Sequence, residues 1–169
     1  ERALENLRKY PLEERLHLEK ICHDELSDLY MLCKDKRAEE QIGQCIDLHR
    51  KWLAMDDRFE RPHRDTTGYM MRAYAKMVYL RDLISRDKLN EYYQKCIGLA
   101  RARGDMAEIY STSARYYQCT GDYERAVAYI DSTITVYKSK GIKADLAPIY
   151  ATQSYLYEEM GDYKNALKA

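Results

Sequence analysis

Residues 110–126 read YSTSARYYQCTGDYERA and residues 150–166 read YATQSYLYEEMGDYKNA. The shared frame is Tyr110-x6-Tyr117-x3-Gly121-Asp122-Tyr123-x2-Ala126, repeated as Tyr150-x6-Tyr157-x3-Gly161-Asp162-Tyr163-x2-Ala166, 40 residues on. An internal period of this size is the mark of stacked structural repeats.

The first copy predicts a helix, a tight turn and a second helix. No Gly or Pro breaks residues 108–120, and small Ser113 and Ala114 lie among Ile109, Tyr110, Tyr116 and Tyr117, so another helix can approach closely. Gly121 ends the helix, because glycine takes left-handed dihedrals without a Cβ penalty. Asp122 follows as the N-cap of the next helix, which carries Ala126, Val127, Ile130, Ile134 and Tyr137 on one side. Two helices joined by so short a turn pack antiparallel, and the apolar face each pair leaves open is covered by the next pair.

The segments Gly121-Asp122-Tyr123-Glu124-Arg125-Ala126 and Gly161-Asp162-Tyr163-Lys164-Asn165-Ala166 resemble the turn and second-helix start of tetratricopeptide repeats. Tyr110, Tyr117, Tyr150 and Tyr157 sit where that family places aromatics in its first helix; Ala114 matches its small residue, for which Ser154 substitutes in the second copy. Both copies exceed the family's repeat of about 34 residues, so their helices or the turn after Lys140 and Gly141 are extended. The resemblance implies an all-α fold: a right-handed superhelix of antiparallel helix pairs, an α-α solenoid.

Outward from this core, residues 105–140 form one repeat and 145–169 a truncated one. Residues 68–103 form a further pair, helices 68–83 and 87–103, with Leu89 in the place of Ala126 and Tyr93 and Cys96 following it. Residues 56–67 (DDRFERPHRDTT) are charged, contain Pro62 and read as an inter-repeat loop, with Thr66 or Thr67 able to cap the next helix. As a lip over a groove, this loop would offer Arg58, Arg61, His63 and Arg64 to an acidic partner. Residues 12–55 resemble a degenerate pair. Helix 12–32 has Leu18, Cys22, Leu26 and Leu29 as its expected core stripe, and Cys33 stands near the missing glycine. Helix 37–55 places Ala38, Ile42, Cys45, Ile46, Leu48 and Trp52 at its small and apolar positions. Residues 1–10 are either the end of a preceding repeat, since Glu1-Arg2-Ala3-Leu4 parallels Glu124-Arg125-Ala126-Val127, or a plain amphipathic helix using Leu4 and Leu7; Pro11 then resets the chain. The aligned positions Ala3, Ala38, Leu89, Ala126 and Ala166 are spaced by 35, 51, 37 and 40, and the long interval holds the loop.

Composition bounds function. Lys plus Arg and Asp plus Glu are both 28, which argues against nucleic acid as a partner. No apolar run approaches the roughly 20 residues of a membrane helix. The five cysteines (22, 33, 45, 96 and 119) include no CxxC pair, so they support neither a disulfide framework nor a zinc site; Cys119, beside the turn, is the one expected to be most exposed. The histidines at 17, 23, 49 and 63 are scattered, and no phosphate loop or nucleophile set is visible. No enzyme, metal or cofactor is therefore expected of this segment.

What remains is a groove. The resemblance implies a concave surface lined by the first helix of each pair: Tyr74, Val78 and Arg81; Glu108, Ser111, Arg115 and Gln118; Ala151, Tyr155 and Glu158; and, in the earlier pair, His23, Ser27 and Tyr30. These positions lack the Lys and Asn set with which tetratricopeptide co-chaperones clamp a carboxylate, so the expected partner is another protein or peptide, met by Tyr area and Arg charge. The repeat style is similar to that of tetratricopeptide input segments of bacterial sensor histidine kinases, with transcription regulators or a ligand-free scaffold as alternatives. The chain reads as a piece of a longer, membrane-anchored protein, on the periplasmic side with the cytoplasm as the alternative, itself making no membrane contact, and a homodimer through the parent protein is a further expectation.

Overall fold

The computed structural model describes residues 9–59, 66–142 and 146–169. Among the described residues the regular structure is helical and no strand occurs. The helices are α1 (Leu12–Leu32), α2 (Arg37–Phe59), α3 (Thr66–Val78), α4 (Arg86–Arg103), α5 (Met106–Thr120), α6 (Tyr123–Ser139), α7 (Leu146–Glu159) and α8 (Tyr163–Ala166). The chain divides into two compact units, Glu1–Leu89 and Asn90–Ala169. In the first, α1 packs on α2 and α2 on α3; in the second, α5 packs on α6, α6 on α7 and α7 on α8.

One backbone device ends helix after helix. The N–H of Asp122 donates to the carbonyl of Tyr117 at 2.9 Å, five residues back, and Asp162 does the same to Tyr157. The same bond joins Asp35 to Tyr30, Asp105 to Ala100 and Ile142 to Tyr137. In each case the preceding residue is left-handed: Gly121, Gly161, Lys34, Gly104 and Gly141. This is the Schellman closure, which satisfies carbonyls that a helix end otherwise leaves without partners. Three of these turns continue into an Asp N-cap: Asp105, Asp122 and Asp162 accept from the N–H groups of Glu108, Arg125 and Asn165. The aligned residues Ala38, Leu89, Ala126 and Ala166 are all buried, whereas Ala3 lies outside the described residues.

In the second unit the core joins Ala114 of α5, Ala126, Val127, Ile130 and Ile134 of α6, and Leu156 of α7. Tyr117, Tyr123, Tyr129, Tyr150 and Tyr157 pack around it. The tyrosines also stack: Tyr93 of α4 lies 4.1 Å from Tyr116 of α5, and Tyr117 lies 5.5 Å from Tyr129 of α6, both pairs near parallel. Each such pair adds about 0.5–1.5 kcal/mol beyond area burial.

The first unit corrects several expectations. Leu29 is 53 % exposed, and Leu18, Cys22 and Leu26 are only half-buried. The α1 face turned to α2 runs instead through Leu16, Lys20, His23 and Ser27. Leu16 packs on Leu48, His23 Nδ1 meets Gln41 Oε1 at 2.7 Å, Cys45 Sγ lies 3.7 Å from the Lys20 carbonyl, and Ser27 is fully buried. Polar residues serve on this seam because each has a partner, while Ala38, Ile42, Cys45 and Ile46 of α2 supply the apolar surface. Lys76 of α3 binds two carboxylates of α1, Asp24 at 2.7 Å and Asp28 at 2.8 Å.

The boundaries shift as well. α2 runs on to Phe59, so the expected loop is shorter by residues 56–59; no Gly or Pro stops the helix before Pro62. The side chains of Trp52 and Arg58, and Arg61, His63 and Arg64 altogether, lie outside the described residues. α3 ends at Val78, and residues 79–83 follow as tight turns in which Tyr79 and Leu80 donate three residues back, burying Leu80. Lys34, not Cys33, takes the place of the missing glycine, at φ 52°.

His49 of α2 is 2 % exposed and stacks on Tyr69 of α3 at 4.9 Å. Burial, then the charges of Lys20 and Arg72, push its pKa down to about 4 against the nearby Asp24.

Two outcomes follow for stability. A Cβ at Gly121 would meet nothing within 4 Å, so Gly121→Ala suffers only the left-handed penalty and loses about 1–2 kcal/mol in urea unfolding. Lys34→Gly removes that penalty and gains up to about 1 kcal/mol, limited by the extra freedom of glycine in the unfolded chain. For pH, a depressed histidine pKa means that the unfolded chain binds the extra proton. The contribution of His49 is thus complete above pH 6.5 and lost as pH falls toward 4. Helix content followed by circular dichroism in urea falls over that window, and His49→Gln flattens it. The Asp24 carboxyl, which burial raises but Lys76 and Lys20 more than offset, keeps its contribution above pH 3.8 and loses it as pH falls below that value.

Candidate partner-binding surface

Glu108, Ser111, Arg115 and Gln118 are spaced to share one face of α5, and the structure brings them together there. They are held by one another and by their neighbours. Glu108 Oε1 accepts from Thr112 Oγ1 at 2.6 Å and from Cys96 Sγ at 3.9 Å; Ser111 Oγ donates to the Glu108 carbonyl at 3.3 Å; Arg115 Nη1 donates to Gln118 Oε1 at 2.8 Å. Gln118 is buried and the other three are half-buried. On α7, Ala151, Tyr155 and Glu158 form a second stripe, all exposed, with Tyr155 at 42 %. Gln153 of the same helix is buried and donates to Asp131 of α6 at 2.5 Å. The core cluster that contains Ala114, Ile130 and Leu156 ties α5, α6 and α7 together beneath these polar groups.

The two stripes present polar and aromatic groups. The α5 stripe offers a carboxylate acceptor and a guanidinium, the latter held by the buried Gln118 amide; the α7 stripe offers an aromatic ring with a polar tip and a carboxylate. Among the described residues no group of three or more His, Cys, Asp and Glu side chains is placed to hold a metal ion. Among the same residues no helix is long and apolar enough to cross a membrane.

The first unit does not assemble the surface expected of it. Val78 is fully buried and Tyr74 is 7 % exposed, because α3 turns these side chains inward; Arg50 Nη2 donates to the Tyr74 hydroxyl at 3.3 Å. Neither lines a groove. Arg81 is exposed in the turns after α3, 3.5 Å from the carboxylate of its neighbour Asp82. Ser27 is buried with its hydroxyl on the Asp24 carbonyl, His23 is engaged by Gln41, and Tyr30 lies under the Arg37 guanidinium at 4.4 Å.

The sequence gives no place in this surface to Thr112, Asp131 and Gln153, nor to Tyr93 beyond its repeat position after Leu89, yet these residues brace the α5 and α7 stripes or stack beside them. Thr112 and Gln153 each precede a small core-facing residue by one position, Ser113 and Ser154, the only sequence signal that points to them. No protein-family model matches this chain, and no curated protein sequence is significantly similar to it.

The thiols check the burial pattern. Cys33 is exposed, Cys22 and Cys119 are intermediate, and Cys45 and Cys96 are buried, so Cys119 is not the most open of the five. Burial pushes both Cys45 and Cys96 up to about 12. Alkylation by iodoacetamide at pH 8, mapped by mass spectrometry, modifies Cys33 first and leaves Cys45 and Cys96 intact until urea unfolds the chain.

Proposed function

We propose that this chain is a tetratricopeptide-like module that binds a peptide or protein along α5 and α7, its helix pairs winding as a right-handed solenoid. The alignment of Glu108, Ser111, Arg115 and Gln118 on one face of α5 carries the reading, with exposed Ala151, Tyr155 and Glu158 on α7. Preorganised polar groups keep their geometry at little entropic cost when a partner arrives, and a half-exposed Tyr supplies contact area. The repeated closure at Gly121-Asp122 and Gly161-Asp162 supports a stacked-repeat architecture.

The context we propose is the input segment of a bacterial two-component sensor histidine kinase, supported by the Gly-Asp-Tyr repeat style alone. Catalysis would then belong to another part of the parent protein. Sequencing the flanking coding region tests this. A membrane span followed by a phosphorylatable His and an ATP-binding domain fits the kinase, and a helix-turn-helix would replace it with a transcription regulator.

Binding is tested by selecting ligands from a random-peptide display library and measuring affinity by fluorescence anisotropy. Arg115→Ala and Tyr155→Ala each weaken the selected peptides by about tenfold, the loss typical of a hot-spot contact, with helix content unchanged. Normal binding by both variants places the surface elsewhere, and a stable dimer that selects no peptide favours a scaffold.

A further inference from the structure

A cavity of about 430 Å³ lies within the first unit, where the last turn of α1 and Lys34 meet the turns that follow α3. That volume is in the range of pockets that hold small organic ligands. Its walls are apolar: Met31, Leu32, Tyr79, Leu80 and Leu83. Leu80 is buried, whereas Leu32 is 83 % and Tyr79 52 % exposed, so the cavity opens outward between apolar lips.

Three charged side chains border it: Asp28, Lys34 and Asp82. The two carboxylates are engaged, Asp28 by Lys76 at 2.8 Å and Asp82 by Arg81 at 3.5 Å. The Lys34 ammonium has no hydrogen-bond or ion-pair partner among the described residues. Three carbonyls in the last turn of α1, those of Leu29, Tyr30 and Met31, which would favour a cation, are already taken by the N–H groups of Cys33, Asp35 and Lys34.

The backbone at Lys34 adds an independent observation. The other four helix ends closed by the same bond place glycine at the left-handed residue; here a lysine stands at φ 52°. A side chain kept at a position where its Cβ is unfavourable is a mark of ligand clamps. We propose that this cavity binds an amphiphilic organic anion, a free alkyl monocarboxylate, with its chain against Met31, Leu80 and Leu83 and its carboxylate at Lys34 Nζ.

Isothermal titration of the full chain with octanoate, octylamine and acetate tests this. Octanoate binds, octylamine binds at least about tenfold more weakly, and acetate gives no heat, as a charge-assisted contact joined to apolar burial requires. Lys34→Gly, which relieves the backbone, is more resistant to urea than the parent yet binds octanoate about tenfold more weakly, while Lys34→Arg binds it as the parent does. A gain in stability together with a loss of binding cannot arise from misfolding. The proposal is overturned if octanoate fails to bind at millimolar concentration, if octylamine binds as well, or if Lys34→Gly keeps full affinity.

Discussion

The bond from an N–H to the carbonyl five residues back, made across a left-handed residue, is the constraint on which the helix pairing depends. It closes α1, α4, α5, α6 and α7. The closure reverses the chain within a few residues. In α5–α6 and α7–α8 it delivers the next helix with an Asp already at its N-cap. Helices launched so close together have one way to hide their apolar stripes, which is against each other. Alanine at positions 38, 126 and 166 fits this, since all three are buried.

The two units use this common frame with different chemistry. In the second, aliphatic residues from three helices form a core, and tyrosines stack around it. In the first, the α1 side of the seam is largely polar. Lys76 joins α3 to α1 through two carboxylates, and a neutral imidazole is stacked against Tyr69 with Lys20 and Arg72 near the same ring. Partly exposed ion pairs contribute little each. The buried apolar residues of α2 and α3, among them Ile42, Ile46, Leu48, Met71, Met77 and Val78, therefore outweigh the ion pairs in this unit.

Both proposals rest on exceptions to the frame. The α5 stripe is polar where a purely structural helix would be apolar or fully solvated, and its groups are satisfied locally, which fixes them without an external partner. Lys34 keeps a side chain where the frame asks for none. Departures of this kind are expected where a surface is shaped for something other than stability.

The sequence by itself determined the helical class, the Gly121 and Gly161 turns, the Asp122 and Asp162 caps, and the extent of α1, because these rest on local rules: glycine at left-handed dihedrals, short acceptors at N-caps, proline at helix starts. It also placed the α5 candidates on one face, since i, i+3 and i+7 spacing is a property of the helix alone. Only the tertiary structure decided which face of α1 is inside. Leucines at 18, 26 and 29 outweigh Ser27 and His23 by hydrophobicity, yet small Ser27 allows close packing, and Gln41 satisfies His23. Likewise Tyr74 and Val78 fell on the predicted groove by repeat register, but both are buried within the first unit, because α3 turns them inward. Burial depends on what stands opposite a residue in space, which no spacing along one helix contains.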